Sequence, residues 1–568
     1  MIEYQIERPI PAEQRLLGAA SAAGAQWSAA LLAAALGADA VEIECSCEAL
    51  ARRGQMLTAA GVEEWPDGTV AGRYAFLHAL YAEVLYQRLT PAQRVELHGC
   101  LGKRLESAYG ERAGEIAAEL ALHFEQGRDP ARGVRYLRQA GEHAVRRFAN
   151  REALGYLGRA LELVERLPGA RRVEQRIELL QQRGWVRRSM GDIRGAVEDL
   201  SAVLSNAREA SQRLAEVRAL LDLSRIYAWV DRRRSLELAE RAVARSDDLP
   251  DALMKALVRG NCASLNIHFR GWREEDAQAC RLSLEVTRQT QNPRMQNRRL
   301  IILSMLECTS SNYQAACVAA EEGMQVAQGL GDAYMFMVCQ GFRAWALLHV
   351  GAWGEMRRSL AAALITAERN ANRQGSTYYR LEIAWLHAEA LDFEGARSGC
   401  EQSVESALQA HDLSSYFLGQ NLLAKANLGL QDYPRAFECF NEITRRVEDE
   451  GLLMESILHP LFHQGLCEYW LAQGDLGQAQ REAALLCELA ALPPERTYLA
   501  IGHSLLAQIA LAERRWEEAQ SQLARALEIV EGAEVPLAAW RVYATAAAFR
   551  QRQGRPSEAE GYRCRGAE

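Results

Sequence analysis

An apolar residue, usually aromatic, returns about every 40 residues through most of this chain, and nothing else in the sequence restricts the fold as strongly. The register falls at Ile193, Trp272, Tyr313, Trp353, Phe393, Tyr433, Leu476, Trp516 and Pro556. The step from Ile193 to Trp272 spans two periods, with a weaker unit at 231–234 between them. The later steps are 41, 40, 40, 40, 43, 40 and 40 residues. Self-similarity at such a period means stacked units in contact with their neighbours, not separate globular cores.

Two sets of companions keep the same register. Nine positions upstream stands a small residue: Gly184, Ala263, Ser304, Ala344, Ala384, Ala424, Cys467, Ala507 and Ala547. Three positions downstream stand Ala196, Ala316, Ala396, Ala436, Ala479, Ala519 and Ala559, with Glu275 and Met356 as exceptions. Small residues at fixed places on two adjacent helices let their backbones cross closely, and the aromatic fills the wedge beside the turn. Only 14 prolines in 568 residues, with abundant Ala and Leu, point to helix almost throughout.

This grammar resembles tetratricopeptide repeats, lengthened from 34 residues to about 40. The expected fold class is therefore all-α, a tetratricopeptide-like superhelix of about ten helix pairs over 168–568. By that likeness the first helix of each pair lines a concave groove. Its inner face includes the positions eight and twelve before the turn aromatic: Trp345, Trp385, Lys425 and Glu468, with Asn421 and Gln464. Two tryptophans one repeat apart would anchor a peptide or an aromatic ligand, and the competing reading makes them inter-repeat core.

The first 90 residues follow a different pattern. Helices are expected from Pro11 to Ala22, from Ser28 to Leu36 and from Asp39 to Arg53. Apolar runs at Gln55–Thr58 and Val70–Leu77 then flank a turn-rich Gly61–Thr69. Three helices and a hairpin are the order of a winged helix, so 1–90 reads as a small winged-helix-like α+β domain and 91–167 as a helical connector with the first repeat-like helices. Winged helices often bind DNA through the third helix and the wing. Here the third helix carries Asp39, Glu42, Glu44 and Glu48 against Arg52 and Arg53, and the wing adds Glu63, Glu64 and Asp67. That sign repels phosphates, which supply most of the affinity for DNA. The whole chain, with 66 Lys+Arg against 74 Asp+Glu, is also net acidic, so nucleic acid is not an expected partner.

Three stretches of the N-terminal part carry a more specific likeness: EQRLLGAASAAGAQWSAALLAAALGADAVEIECSCEALARRGQML from Glu13, EEWPDGTVAGRYAFLHALYAEVLYQRL from Glu63, and ERAGEIAAELALHFEQGRDPARGVRYLRQAGEHA from Glu111. In order and wording, over about Ile6–Leu167, they resemble the region that follows the nucleotide-binding module in bacterial STAND-class signalling ATPases. That family includes ATPases fused to class III adenylate/guanylate cyclases and large LuxR-type activators. The resemblance implies an ATPase that switches between closed and open states while a repeat array senses a partner or ligand. The sequence itself holds no Gly-x-x-x-x-Gly-Lys-[Ser/Thr], since Gly102-Lys103 is followed by Arg104, and no Walker B segment. The expectation is a detached C-terminal portion, either a gene fragment or a separately encoded sensor, with no cofactor and no enzymatic activity of its own. It would bind a protein, peptide or small ligand in the groove and work with an ATPase module in cis or in trans. The alternatives are a DNA-binding transcriptional regulator using the winged helix, and a fragment of an ATP-binding, cyclase-linked ATPase.

Other constellations add little. His-Glu-x-x-His is absent, His459 and His463 are separated by Pro460, and His123 lacks a third ligand at sensible spacing, so no metal site is expected. Thirteen scattered cysteines without a Cys-x-x-Cys pair fit reduced thiols. The arginine runs 232–234 and 294–299 lie at turns or between repeats and read as solvated. No apolar run approaches the roughly 18 residues of a membrane span, and no signal peptide opens the chain, so a cytoplasmic location is expected.

Overall fold

The computed structural model describes residues 6 and 9–567, apart from 55, 148, 289, 370–371, 450 and 493–494. It divides into two compact units, Met1–Val186 and Arg187–Glu568.

The first unit opens with the helix Pro11–Ala23, strand β1 (Gln26–Ser28), and the helices Ala29–Leu36 and Ala40–Arg52. A hairpin of β2 (Leu57–Glu64) and β3 (Val70–Phe76) follows. All neighbours in the sheet are antiparallel, in the order β1-β3-β2. The helix starts follow from side chains that accept orphan N–H groups: Ser28 caps the second helix through Leu31, and Asp39 caps the third through Val41 and Glu42. Strand β1 was not anticipated, because three residues are too short to show an alternation. Strand β2 also runs into the segment read as a turn. Its register shifts between Ala59 and Val62, where Gly61 takes φ 97°, so the strand continues to Glu64 and the turn shrinks to five residues.

The hairpin tip is tied to its own unit. Arg104, on the helix Pro91–Tyr109, donates to Asp67 at 2.9 Å and to Thr69 at 2.7 Å, and stacks 4.7 Å from the Trp65 ring. Glu44 on the third helix accepts from the Gly72 N–H at 3.1 Å. Deeper in the unit, His98 and His123 meet through their Nδ1 atoms at 2.9 Å, and the Tyr86 hydroxyl meets His98 Nε2 at 2.9 Å. Burial lowers both imidazoles to about 4, so the pair is neutral and part of the core. Among the described residues no group of three or more His, Cys, Asp or Glu could hold a metal ion, and no helix is long and apolar enough to cross a membrane.

The second unit is a stack of helix pairs, a tetratricopeptide-like superhelix. The second helix of a pair begins on the register residue in Ile193–Glu209, Tyr313–Gly329, Trp353–Arg369, Phe393–Gln409, Tyr433–Glu448, Leu476–Ala491, Trp516–Gly532 and Pro556–Ala567, whereas at Trp272 it begins two residues later, as Glu274–Thr287. The local cause is visible at four of the turns. A residue in the left-handed region ends the preceding helix (Gly191, Leu391, Gln431, Gly474), and the next residue, an aspartate, caps the new one (Asp192, Asp392, Asp432, Asp475). The alanines three positions on, from Ala196 to Ala559, are fully buried. Where an aromatic meets the next repeat, the partner backbone must come close: a Cβ on Gly429 would lie 2.5 Å from the Phe393 ring.

The superhelix also closes on itself. The Tyr313 hydroxyl meets Thr497 at 2.8 Å, Ser456 donates to the Ile267 carbonyl at 2.6 Å, and Arg541 reaches Glu389 at 2.8 Å. These partners lie 184, 189 and 152 residues apart. At a period of about 40, such contacts join repeats four to five positions apart across the interior. This overturns the reading of the arginine runs at Arg232 and Arg298, while Arg233 and Arg234 are exposed as read. Arg232, expected in solvent, is 2% exposed. It lies between the Phe269 and Phe417 rings and donates to Glu455, Ser414 and the Leu453 carbonyl. Arg298 is drawn into the interior by Asp222, at 3.1 Å. Aspartates and carbonyls from distant repeats replace the water that a short-range reading had assumed.

Candidate functional site

Closure does not fill the interior completely. A cavity of about 220 Å³ remains inside the second unit, walled by side chains from successive repeats and from the segment 455–458. Its middle is aromatic. Trp229 stands edge-on to Tyr334 (ring centroids 6.0 Å apart) and to Tyr378 (6.2 Å), and its indole N–H donates to the Tyr334 hydroxyl at 2.5 Å. Trp345 and Trp385 meet edge-to-face at 5.0 Å and complete the wall with Phe269 and Phe342.

At one end stand three arginines. Arg188 pairs with Asp332 at 3.2 Å and stacks 4.4 Å above Tyr334. Arg225 and Arg298 share Asp222 at 3.0 and 3.1 Å, and Arg225 also donates to the Asn261 side-chain oxygen at 2.8 Å. Two carboxylates do not neutralise this group, and Arg294 acts on it electrostatically as well. Burial, with Arg298 beside it, lowers Arg225 to about 9. The Nε atoms of Arg188 and Arg298 and Nδ2 of Asn261 have no hydrogen-bond partner.

The other end is acidic. Glu382 is 1% exposed; it is hydrogen-bonded to the Tyr378 hydroxyl, and its Oε2 is unpartnered. Burial pushes its carboxyl up to about 8. Glu455 gives Oε1 to Arg232 and leaves Oε2 unpartnered. Burial also lowers His268 to about 4, so it is neutral here, and raises Asp412 nearby to about 6. Unmet guanidinium and amide donors thus stand at one end; at the other the unmet oxygens of Glu382 and Glu455 stand beside His268 Nδ1 and Arg232 Nε, which also lack a partner. An unpaired buried polar group costs about 1–3 kcal/mol, and a ligand that pairs it recovers that cost.

The six residues singled out from the repeat register fall into three surroundings. Trp345 and Trp385 line the cavity. Asn421 and Lys425 lie in sealed interior: Asn421 donates to the Phe417 carbonyl at 2.8 Å, and Lys425 pairs with Glu389. Gln464 donates to Glu468 at 2.8 Å, and Glu468 borders a second, shallower hollow of about 570 Å³ beside Arg541 and Thr545. The register did not single out Glu382 and Tyr378, which lie three and seven residues before Trp385 on the helix Arg373–Glu389. Extending the inner face by two helical turns reaches both. Arg188, Arg225, Arg298 and Glu455 carry no periodic signal.

No known protein family matches the chain, and no curated protein matches it. Among solved structures, a Rap protein complexed with Competence and Sporulation Factor is similar over 62% of this chain and 97% of its own, at 12% identity and a TM-score of 0.49. The Cut9–Hcn1 assembly of the APC/C is similar over 85% of this chain and 94% of its own, at 14% identity and a TM-score of 0.42. A STAND protein with a tetratricopeptide repeat sensor from Pyrococcus horikoshii is similar over 92% of this chain and 63% of its own, at 13% identity and a TM-score of 0.29.

Proposed function

We propose that this chain is a ligand-sensing repeat module of a STAND-like signalling system, in which the array receives a small molecule or short peptide inside its superhelix. The observation that carries this reading is the cavity itself, since a purely structural core would be packed to crystal-like density and would leave few buried polar atoms unmet. Large apolar pockets with a few convergent polar groups are where soluble proteins hold ligands. Because the walls come from many repeats, an occupant changes how those repeats pack. A sensor arm needs such a coupling if it is to act on an ATPase module in cis or in trans. The wing residues Trp65, Asp67 and Thr69 are engaged by Arg104, which with the acidic third helix speaks against a DNA-reading role for 1–90.

The test is a thermal-shift screen of metabolites and short peptides against the full chain and against Val338→Trp, which fills the cavity from its wall. Ligands that raise the melting temperature of the parent but not of the variant support the proposal. Hits that survive the filled cavity, or no hit at all, contradict it.

A further inference from the structure

The cavity does more than offer space: its unmet carboxyl oxygens lie apart from the arginine cluster. Along one wall the order runs Arg188, Tyr334, Trp229, Tyr378, Glu382. Each neighbour is linked by a stacking, hydrogen-bonding or edge-on contact already described. At the start of that line the unmet atoms are Nε of Arg188 and Arg298 and Nδ2 of Asn261, and at its end they are Oε2 of Glu382 and of Glu455, with His268 Nδ1 and Arg232 Nε also unmet beside them. The arginine end has more guanidinium groups than the two aspartates that serve them, and the far end holds Glu382, Glu455 and Asp412 against Arg232.

We infer that the cavity takes a linear zwitterion whose anionic and ammonium groups are separated by an apolar body. The anion lies against Arg188 and Arg298, and the ammonium lies between Glu382 and Glu455. This rests on the ligand-sensing reading above and adds the chemical class and the direction of the ligand.

Three observations narrow the class. A simple anion would leave the two glutamate oxygens unpaired, and a simple amine would leave the guanidinium N–H groups unpaired, so each leaves part of the desolvation cost unrecovered. Tyr334, Trp229 and Tyr378 stand in contact between the arginines and Glu382, so the two charges are placed on separate carbons rather than on the one carbon of a single α-amino acid. A short peptide with free termini separates its charges by roughly 3.3–3.6 Å per residue, so tripeptides test the span. The Trp345 indole N–H, in the aromatic wall, also has no partner and suits an amide carbonyl. The aromatic walls favour an apolar or aromatic residue between the termini.

The raised carboxyl pKa of Glu382 fits this assignment, since burial without a cationic partner from the protein favours the neutral acid. An arriving ammonium converts it to the carboxylate and displaces its proton to solvent.

The test is calorimetric titration of the full chain with tripeptides Gly-X-Gly (X being Ala, Leu, Phe or Trp), each in free, N-acetylated and C-amidated form. The expectation is that an aromatic member binds and that blocking either end weakens it at least about tenfold, the scale of one lost charge-assisted contact. Glu382→Gln should abolish the penalty of acetylation and leave that of amidation. Arg298→Gln should do the reverse. The blocked peptides carry the test on the parent protein alone, should a variant fold poorly. Equal binding of free and blocked forms overturns the inference. So does binding by none of the tripeptides when a non-zwitterionic compound from the screen occupies the cavity, and that outcome leaves the ligand-sensing reading standing. If nothing binds the cavity, both fall.

Discussion

Two buried glutamates seven residues apart on one helix, Arg373–Glu389, meet opposite fates. Glu389 lies in the sealed seam, where Lys425 and Arg541 converge on it. Burial alone would raise its carboxyl, but the two cations overcome burial and pull it down to about 2. Glu382, two turns earlier, is buried as deeply but opens on the cavity, and burial pushes it up to about 8 with Tyr378 as its partner. The same side chain on the same scaffold serves as a structural counterion in one place and stays a buried carboxyl on a cavity wall in the other. The difference lies in whether the fold supplies the cation.

The sharpest way to break the comparison is to remove each carboxylate in turn. Glu389→Ala leaves two buried cations with nothing between them and should cost about 3–5 kcal/mol, read as a lowered denaturation midpoint. The sign of its pH dependence follows from its depressed pKa. The stabilisation is present above the unfolded value of 4.5 and is lost as pH falls toward 2, so parent and variant should converge in acid.

Glu382→Gln should behave in the opposite sense. The folded protein keeps a proton on Glu382 up to about pH 8, whereas the unfolded chain releases it near 4.5. Between those values the parent therefore loses stability as pH rises, by up to about 1.4 kcal/mol per pH unit. Denaturation series at pH 5 and pH 8 should show the glutamine variant gaining on the parent at the higher pH. A flat difference would mean that Glu382 has a cation inside the protein after all.

The mildest test removes one of two cations. Arg541→Leu leaves Lys425 on Glu389 and should cost about 1–2 kcal/mol, well below Glu389→Ala, because the carboxylate remains paired. A loss as large as that of Glu389→Ala would show that Lys425 alone does not hold the charge.

Much of the array could be read from the sequence, because a repeat writes its neighbour contacts into a period. The aromatic at Phe393, the alanine at Ala396 and the capping Asp392 sit where short-range packing and capping place them, and the helix begins there. The two tryptophans of the inner face do line the cavity. The charged ends could not be read. Arg298 and Arg188 owe their burial to Asp222 and Asp332, which lie 76 and 144 residues away, and no period encodes a contact made once. One irregularity did carry a signal. The 43-residue step between Tyr433 and Leu476 breaks the register, and the segment 451–458 within it supplies Glu455 to the cavity and Ser456 to the closure. An aberrant spacing in a repeat array marks the place to look for function.

The closure of the superhelix has a consequence for how the molecule comes apart. An open solenoid contacts only its nearest neighbours, so its ends can fray one repeat at a time while the middle stays folded. Here the helix Pro536–Arg552, near the end of the chain, holds Glu389 in the middle of it through Arg541. The long sequence separation of such contacts slows assembly, because the loop must close before the contact forms. In return, no terminal repeat can peel away without breaking a buried charge cluster four repeats distant. The array is linear in its sequence but should melt as a single cooperative block.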